Sequence, residues 1–400
     1  VDPLSEDDVT VEALRADTTG VEKVIHFNNA GCSLPPSPVL RAQVDYLVRE
    51  SETGGYETAD QVRDEAEHAY SGLARLLGVK QDEVGFCGNA TDAWRRVLYA
   101  LPLGRGARIA FDESIYGGNL LALIEGRERF QWQLQSVRLD DSGAIDLAAL
   151  EEVLRTGVDL VAATHMAAQS GAVNPIAEIS ELSRRYGAWC LVDACQTIGH
   201  VPIDLAATQV DGFIFTGRKY LRAPRGTGGF IVRRPLLDRI LPLGPDIRGG
   251  AVEEDGGLRL SRDASVLEQW ERNWALHLGL GAAIDYLLAL DRSWTWGRIR
   301  ELAATLSIAL SEVPGVLVHR RSGESGGIVL FDVVGKDLVK ARDWLRARGA
   351  NVMFAGPQNA PLEMFRTGDP GRLRASIHYY NTDEEIRRFA DLVAECGRSL

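Results

Sequence analysis

An α/β fold is what the sequence predicts, and three observations predict it. Five short apolar runs, ARIAFDES, VDLVAATHM, WCLVDACQ, DGFIFTGR and TGGFIVRR, follow one another with helix-like segments among them. Each run is nearly continuously apolar rather than alternating, the pattern of a strand covered on both faces. The helix-like DLAALEEVLRTG and IAEISELSRRYG each end at a glycine able to close a helix in the left-handed conformation. A mostly parallel sheet wrapped by crossover helices meets all three.

At 400 residues the chain is long enough for two domains. Residues 1–25, opening VDPLSEDDVTVE, read as an arm, without the charge pattern of a signal peptide. Residues 26–250 form the large α/β domain, with 26–60 helping to line its site. A connection over 251–290 carries VLEQWERNWALHLGLGAAIDYLLAL, read as a helix. The remainder, 291–400, mixes amphipathic helices with short strands such as GIVLFDVV, as a smaller α+β domain does.

With 45% hydrophobic and 25% charged residues, the composition is that of a soluble globular protein. The formal net charge of -12 argues against nucleic acid as a partner. Five cysteines stand without C-x-x-C spacing, so no metal site or disulfide framework is read, and a reducing compartment fits. No apolar stretch approaches the roughly 18 residues of a membrane span, which places the protein in the cytoplasm.

Functional residues of a parallel sheet gather at the carboxyl ends of its strands. Lys219 follows DGFIFTG, while Asp193 and Gln196 close WCLVDACQ, so an amine and an acid are expected in one cleft. That pair serves pyridoxal 5'-phosphate: the amine condenses with the aldehyde, and the acid keeps the pyridine nitrogen protonated. A structural ion pair or an exposed lysine is the alternative. The cofactor also needs a phosphate cup, and GNATDAW offers a small-residue turn opening a helix, with the Thr91 hydroxyl beside it. Thr216 and Arg218, flanking the lysine, add a hydroxyl and a permanent cation.

From FNNAGCSLPP near the start to LRASIHYYNTDEEI near the end, the chain resembles the class V aminotransferase family. These are fold-type I pyridoxal phosphate enzymes that include cysteine desulfurases, selenocysteine lyases and isopenicillin N epimerases. The resemblance implies a seven-stranded, mostly parallel sheet domain with a smaller C-terminal domain. It implies Lys219 as the lysine bonded to the cofactor, Asp193 as partner of the ring nitrogen and Gln196 as partner of the phenolic oxygen. Ala90, Thr91, Thr216 and Arg218 fall on phosphate-binding positions, with arginine where the family more often has histidine. Tyr116, in SIYGGN, falls on the position that stacks on the ring. Arg374, in LRASIHYYNT, matches the arginine that grips a substrate carboxylate, and Asn29 and Tyr56 are expected to touch the substrate. Beside Tyr56, Gly54 and Gly55 read either as a close approach to a ligand or as a tight turn between helices. A homodimer is implied, with the tryptophans of LEQWERNWALH suited either to its interface or to an intramolecular core.

Reaction type is a separate inference. Desulfurases carry an acceptor cysteine shortly before the carboxylate-binding arginine, whereas ANVMFAGPQNAPLEMFRTGDPGRLRAS has none. In THMAAQSG, Ala168 stands where desulfurases have an asparagine. With ETGGYETAD, SIYGGN and TGRKYLRAPRGTG, these features are most similar to the ergothioneine-forming C–S lyases and related lincosamide-pathway enzymes. The implied activity is β-elimination from a cysteine S-conjugate, with Lys219 as general base, releasing a thiol or sulfenic acid with pyruvate and ammonia. Decarboxylating oxidative deamination of such a conjugate is the alternative. A non-catalytic binding protein is a further one, opposed by the joint presence of lysine, aspartate and arginine. A dehydrogenase suggested by RGTGG fails, because that run leads into a strand rather than a helix.

Overall fold

Seven strands assemble side by side in the computed structural model, which describes residues 10–320 and 322–400. They are β1 (Val84–Cys87), β2 (Arg108–Asp112), β3 (Gln133–Val137), β4 (Leu160–Thr164), β5 (Trp189–Asp193), β6 (Gly212–Thr216) and β7 (Gly228–Val232). Their order is β1-β7-β6-β5-β4-β2-β3. All pairings are parallel except those of β7, which runs against both β1 and β6. Every residue of β4, β6 and β7 is buried, the outcome that unbroken apolar runs require. At the edge, β3 shows exposed Gln133, Gln135 and Ser136, polar groups that discourage pairing with another chain. Those same residues hide β3 from a search for apolar runs.

Parallel pairing sets Thr164 of β4 beside Asp193 of β5, and Asp193 beside Ile214 of β6. The carboxyl ends of these three strands therefore share one edge of the sheet. Three helices matter to what lies there: α1 (Ser37–Thr53), α2 (Ala90–Ala100) and α3 (Gly117–Phe130). Gly54, at φ 98°, ends α1 in a conformation that L side chains rarely adopt, and a second helix, Gly55–Gln61, begins at once.

A second, antiparallel sheet follows in order β8-β9-β11-β10, from β8 (Val316–His319), β9 (Ile328–Val333), β10 (Met353–Ala355) and β11 (Arg372–Ser376). Helices Arg292–Ser311, Leu338–Ala347 and Asp383–Ser399 supply its core, in which Leu306, Phe331 and Phe389 are fully buried. Residues 25–26 pair with 350–351, and Leu14 is buried, so the described part of the opening arm is packed rather than free; residues 1–9 lie outside the described residues.

The helix expected from Val266 starts later. Residues 264–267 make one 3-10 turn, and α4 (Trp274–Leu288) begins only where Asn273 accepts a hydrogen bond from the Leu276 N–H. Buried Glu268 explains the delay. Its carboxylate accepts from the Tyr70 hydroxyl, the Phe86 N–H, Arg248 and Arg272, pinning the segment to β1. Among the described residues, no helix is long and apolar enough to cross a membrane.

Candidate active site

The lysine sits in a turn that the chain holds from several sides. After β6, the Ala223 N–H donates to Gly217 and the Arg222 N–H to the carbonyl of Lys219 itself, both at 2.9 Å. Gly217 is required, since a Cβ there would lie 2.2 Å from the Thr227 hydroxyl oxygen. Arg222 adopts φ 61°, a strained choice for a long side chain, and is 1% exposed. Its guanidinium donates to Leu34 C=O at 2.9 Å, the Tyr379 hydroxyl at 2.9 Å and Thr18 Oγ1 at 2.5 Å. The Tyr380 ring lies 4.6 Å beneath the cation. Lys219 is half-buried at a cavity wall, and desolvation lowers its pKa to about 8. Arg218 and Arg374 push the same way, while Asp193 opposes them.

Asp193 ends β5 with both carboxylate oxygens engaged: Asn119 Nδ2 of α3 donates at 2.6 Å and the Cys195 N–H at 2.9 Å. Gln196 gives one N–H to Ala30 C=O at 3.2 Å, and its Oε1 has no partner among the described residues. Asn89 caps α2 by accepting from the Asp92 N–H, leaving the first-turn amides around Ala90 and Thr91 without intrahelical acceptors. Gly228 fits tightly behind this turn; a Cβ there would lie 2.8 Å from the carbonyl carbon of Asn89. Arg218 Nη1 donates to Thr216 Oγ1 at 2.9 Å, adding cation and hydroxyl to the same cup. Tyr116 stands at the start of α3, 41% exposed.

Arg374 approaches from the other sheet. It is 2% exposed, yet no carboxylate among the described residues lies within ion-pair distance of it. One Nη donates to Ala168 C=O, the other to Met353 Sδ at 3.1 Å, and Nε has no partner among the described residues. Burial lowers its pKa to about 10.

A cavity of about 490 Å³ is lined by all but two of the residues expected from the sequence: Lys219, Asp193, Gln196, Ala90, Thr91, Tyr116, Thr216, Arg218 and Arg374. Asn29 and Tyr56 do not line this cavity. Asn29 is fully buried, its amide donating to His26 and Ser376 carbonyls and accepting from the Tyr380 hydroxyl. Tyr56 is 72% exposed and faces Trp270, ring centroids 5.9 Å apart, outside the cavity of its own chain. Among the lining residues that sequence reasoning did not single out are Asn119, Thr164, Met353 and Asn359. Asn119 had a signal, a polar residue within SIYGGN at the start of a helix; Thr164 follows only from the register of β4 on β5.

A flat ring with an anionic arm fits this donor set. The α2 amides, Arg218 and Thr216 suit a phosphate, Asp193 a protonated ring nitrogen, and Lys219 an aldehyde. Unpartnered atoms of Thr164, Gln196 and Arg374, all on lining side chains, are what a missing polar group leaves behind.

Comparison with known proteins agrees. Residues 25–389 match the family model for class-V aminotransferases. A probable cysteine desulfurase 2 of Mycobacterium leprae is 30% identical, the alignment covering 98% of this chain and 96% of that one. Among solved structures, the apo cysteine desulfurase of Thermococcus onnurineus NA1 superposes with TM-score 0.90 at 25% identity, covering 97% of this chain and 98% of that one. The cystine C–S lyase C-DES, in complex with its product cysteine persulfide, shares the fold at TM-score 0.85 and 22% identity, covering 94% and 99%. The chain belongs to the class-V aminotransferase family and is a pyridoxal phosphate-dependent enzyme of fold type I.

Proposed function

We propose that this class-V family member is a C–S β-lyase that cleaves an S-conjugate of cysteine, yielding a thiol, or a sulfenic acid from a sulfoxide, with pyruvate and ammonia. One observation carries the choice over desulfuration: residues 350–376, which bring Met353, Asn359 and Arg374 to the cavity, contain no cysteine. Cys195 is no substitute, because burial and the charge of Asp193 push its thiol well above the usual range and keep it protonated.

When bound, the cofactor supplies an electron sink for the charge left at the substrate α-carbon. Ala90, Thr91, Thr216 and Arg218 hold the phosphate, and Asp193, steadied by Asn119, holds the proton at the ring nitrogen. Gln196 serves the phenolic oxygen, and Tyr116 covers the ring. Arg374 takes the substrate carboxylate, for which a buried cation without a counter-ion among the described residues is prepared, and thereby orients the α-hydrogen. Lys219 Nζ removes that proton; with its pKa lowered to about 8, roughly a tenth of the amine is free to accept it at pH 7, far more than an ordinary lysine offers. The C–S bond then breaks with its electron pair on sulfur, and the unsaturated amino acid released takes up water to give pyruvate and ammonia.

A second copy of the chain completes the assembly in this reading. Leu40, Val44, Leu47 and Val48 form an exposed apolar stripe on α1, beyond what single exposed side chains explain. Tyr56 and Trp270 add exposed aromatic surface suited to such a contact. A cytoplasmic location accords with the free cysteines.

Mass spectrometry of products from cysteine S-conjugates, including a sulfoxide and a sugar thioether, tests the reaction. Pyruvate and the thiol or sulfenic acid in equal amounts are expected. Alanine from free cysteine as the main product would assign desulfuration instead, and an aldehyde with carbon dioxide would assign oxidative decarboxylation.

A further inference from the structure

We propose that Met353 is an oxidation site, and that its sulfoxide weakens the hold of Arg374 on a carboxylate. The proposal rests on Arg374 being the carboxylate grip.

The chain has three methionines. Met166 and Met353 both line the cavity, but Met166, like Met364, is 1% exposed, whereas Met353 is half-buried. An oxidant that enters the cavity therefore meets one thioether first. Met353 also sits directly across the antiparallel ladder from Arg374, and its Sδ accepts from Nη2 at 3.1 Å.

A thioether is a weak, neutral acceptor. It steadies the guanidinium without satisfying its charge, so the cation stays ready for an anion. Reaction with hydrogen peroxide changes that balance. A sulfur lone pair attacks one peroxide oxygen, the S–O bond forms as the O–O bond breaks, and the other oxygen leaves as water. Sulfur is oxidised to the sulfoxide and peroxide is reduced. The new oxygen is a strong, polar acceptor within reach of the same N–H. The cavity, at about 490 Å³, has room for it. An N–H occupied by a sulfoxide is lost to a bidentate carboxylate contact.

The test uses the holoenzyme, S-methylcysteine and the carboxamide of S-methylcysteine, with dissociation constants read from the cofactor's absorbance. Untreated protein is expected to prefer the acid. After peroxide, peptide mass spectrometry should find one added oxygen on Met353, and affinity for the acid should fall roughly tenfold while that for the carboxamide holds. Methionine sulfoxide reductase should restore the acid's affinity. In Met353→Leu, peroxide should leave the acid's affinity at the variant's own starting value, which separates this site from cysteine oxidation. Oxidation of Met353 without loss of affinity, or an equal loss in Met353→Leu, overturns the proposal alone. Untreated protein that binds acid and carboxamide equally overturns the Arg374 reading and this proposal together.

Discussion

Arg222 and Arg374 are almost equally buried, 1% and 2% exposed, and they differ in how far their hydrogen bonds are met. Arg222 has a carbonyl, two hydroxyls and an aromatic face around its guanidinium. Arg374 has a carbonyl, a thioether and an Nε without a partner among the described residues. Burial of a cation is costly unless its hydrogen bonds are met. The first arginine thus works for the fold, while the second is held ready for something that is not part of the chain. What separates structure from site is the company a charge keeps, not how deeply it lies.

The harshest test removes the lysine itself. Lys219→Ala should abolish covalent cofactor attachment, read as loss of the visible absorbance band, and lower turnover by roughly 10⁴-fold or more. Swapping each arginine for an apolar residue then sharpens the contrast. Arg222→Leu should cost about 3 kcal/mol in denaturant unfolding, because it strands the polar groups that faced it. Arg374→Leu should leave stability unchanged or raise it by about 1 kcal/mol, yet raise KM for the amino acid roughly hundredfold. If Arg374→Leu unfolds as readily as Arg222→Leu, the distinction fails. Asn29→Ala is a smaller probe of the same rule: about 2 kcal/mol of stability lost with KM little changed, where a substrate contact would move KM first.

The smallest effect concerns protonation. The free amine is the nucleophile, and burial lowers its pKa to about 8, so covalent uptake of pyridoxal phosphate by the apoprotein should accelerate as pH rises through about 8 and then level off. Arg218 disfavours the protonated amine, so Arg218→Gln should move that midpoint upward by less than about one pH unit, even if uptake also slows. A midpoint that falls would contradict the assigned sign.

Much of this was legible in the sequence because it follows from local chemistry. Continuous apolar runs marked the buried strands, and the order of Asp193 and Lys219 after two of them put acid and amine at one edge. What stayed hidden depends on partners distant along the chain. Strand β3 is polar because it is an edge, and Glu268, rather than helix propensity, sets where α4 can begin. Thr164 and Met353 matter through register, which residue type does not reveal. Asn29 and Tyr56, placed at the site by resemblance, do not line the cavity of this chain, and residue type does not reveal that the Asn29 amide meets backbone carbonyls.

The knot around Arg222 also has a place in time. Its partners Thr18 and Tyr379 lie 204 and 157 residues away in opposite directions along the chain. During synthesis from the N-terminus, the sheet that carries the lysine can pair long before Tyr379 has left the ribosome. The turn bearing Lys219 gains its last fastening only when nearly the whole polypeptide has emerged. Nascent chains halted before residue 379 should therefore capture the cofactor poorly, which ties the onset of chemistry to the completion of translation.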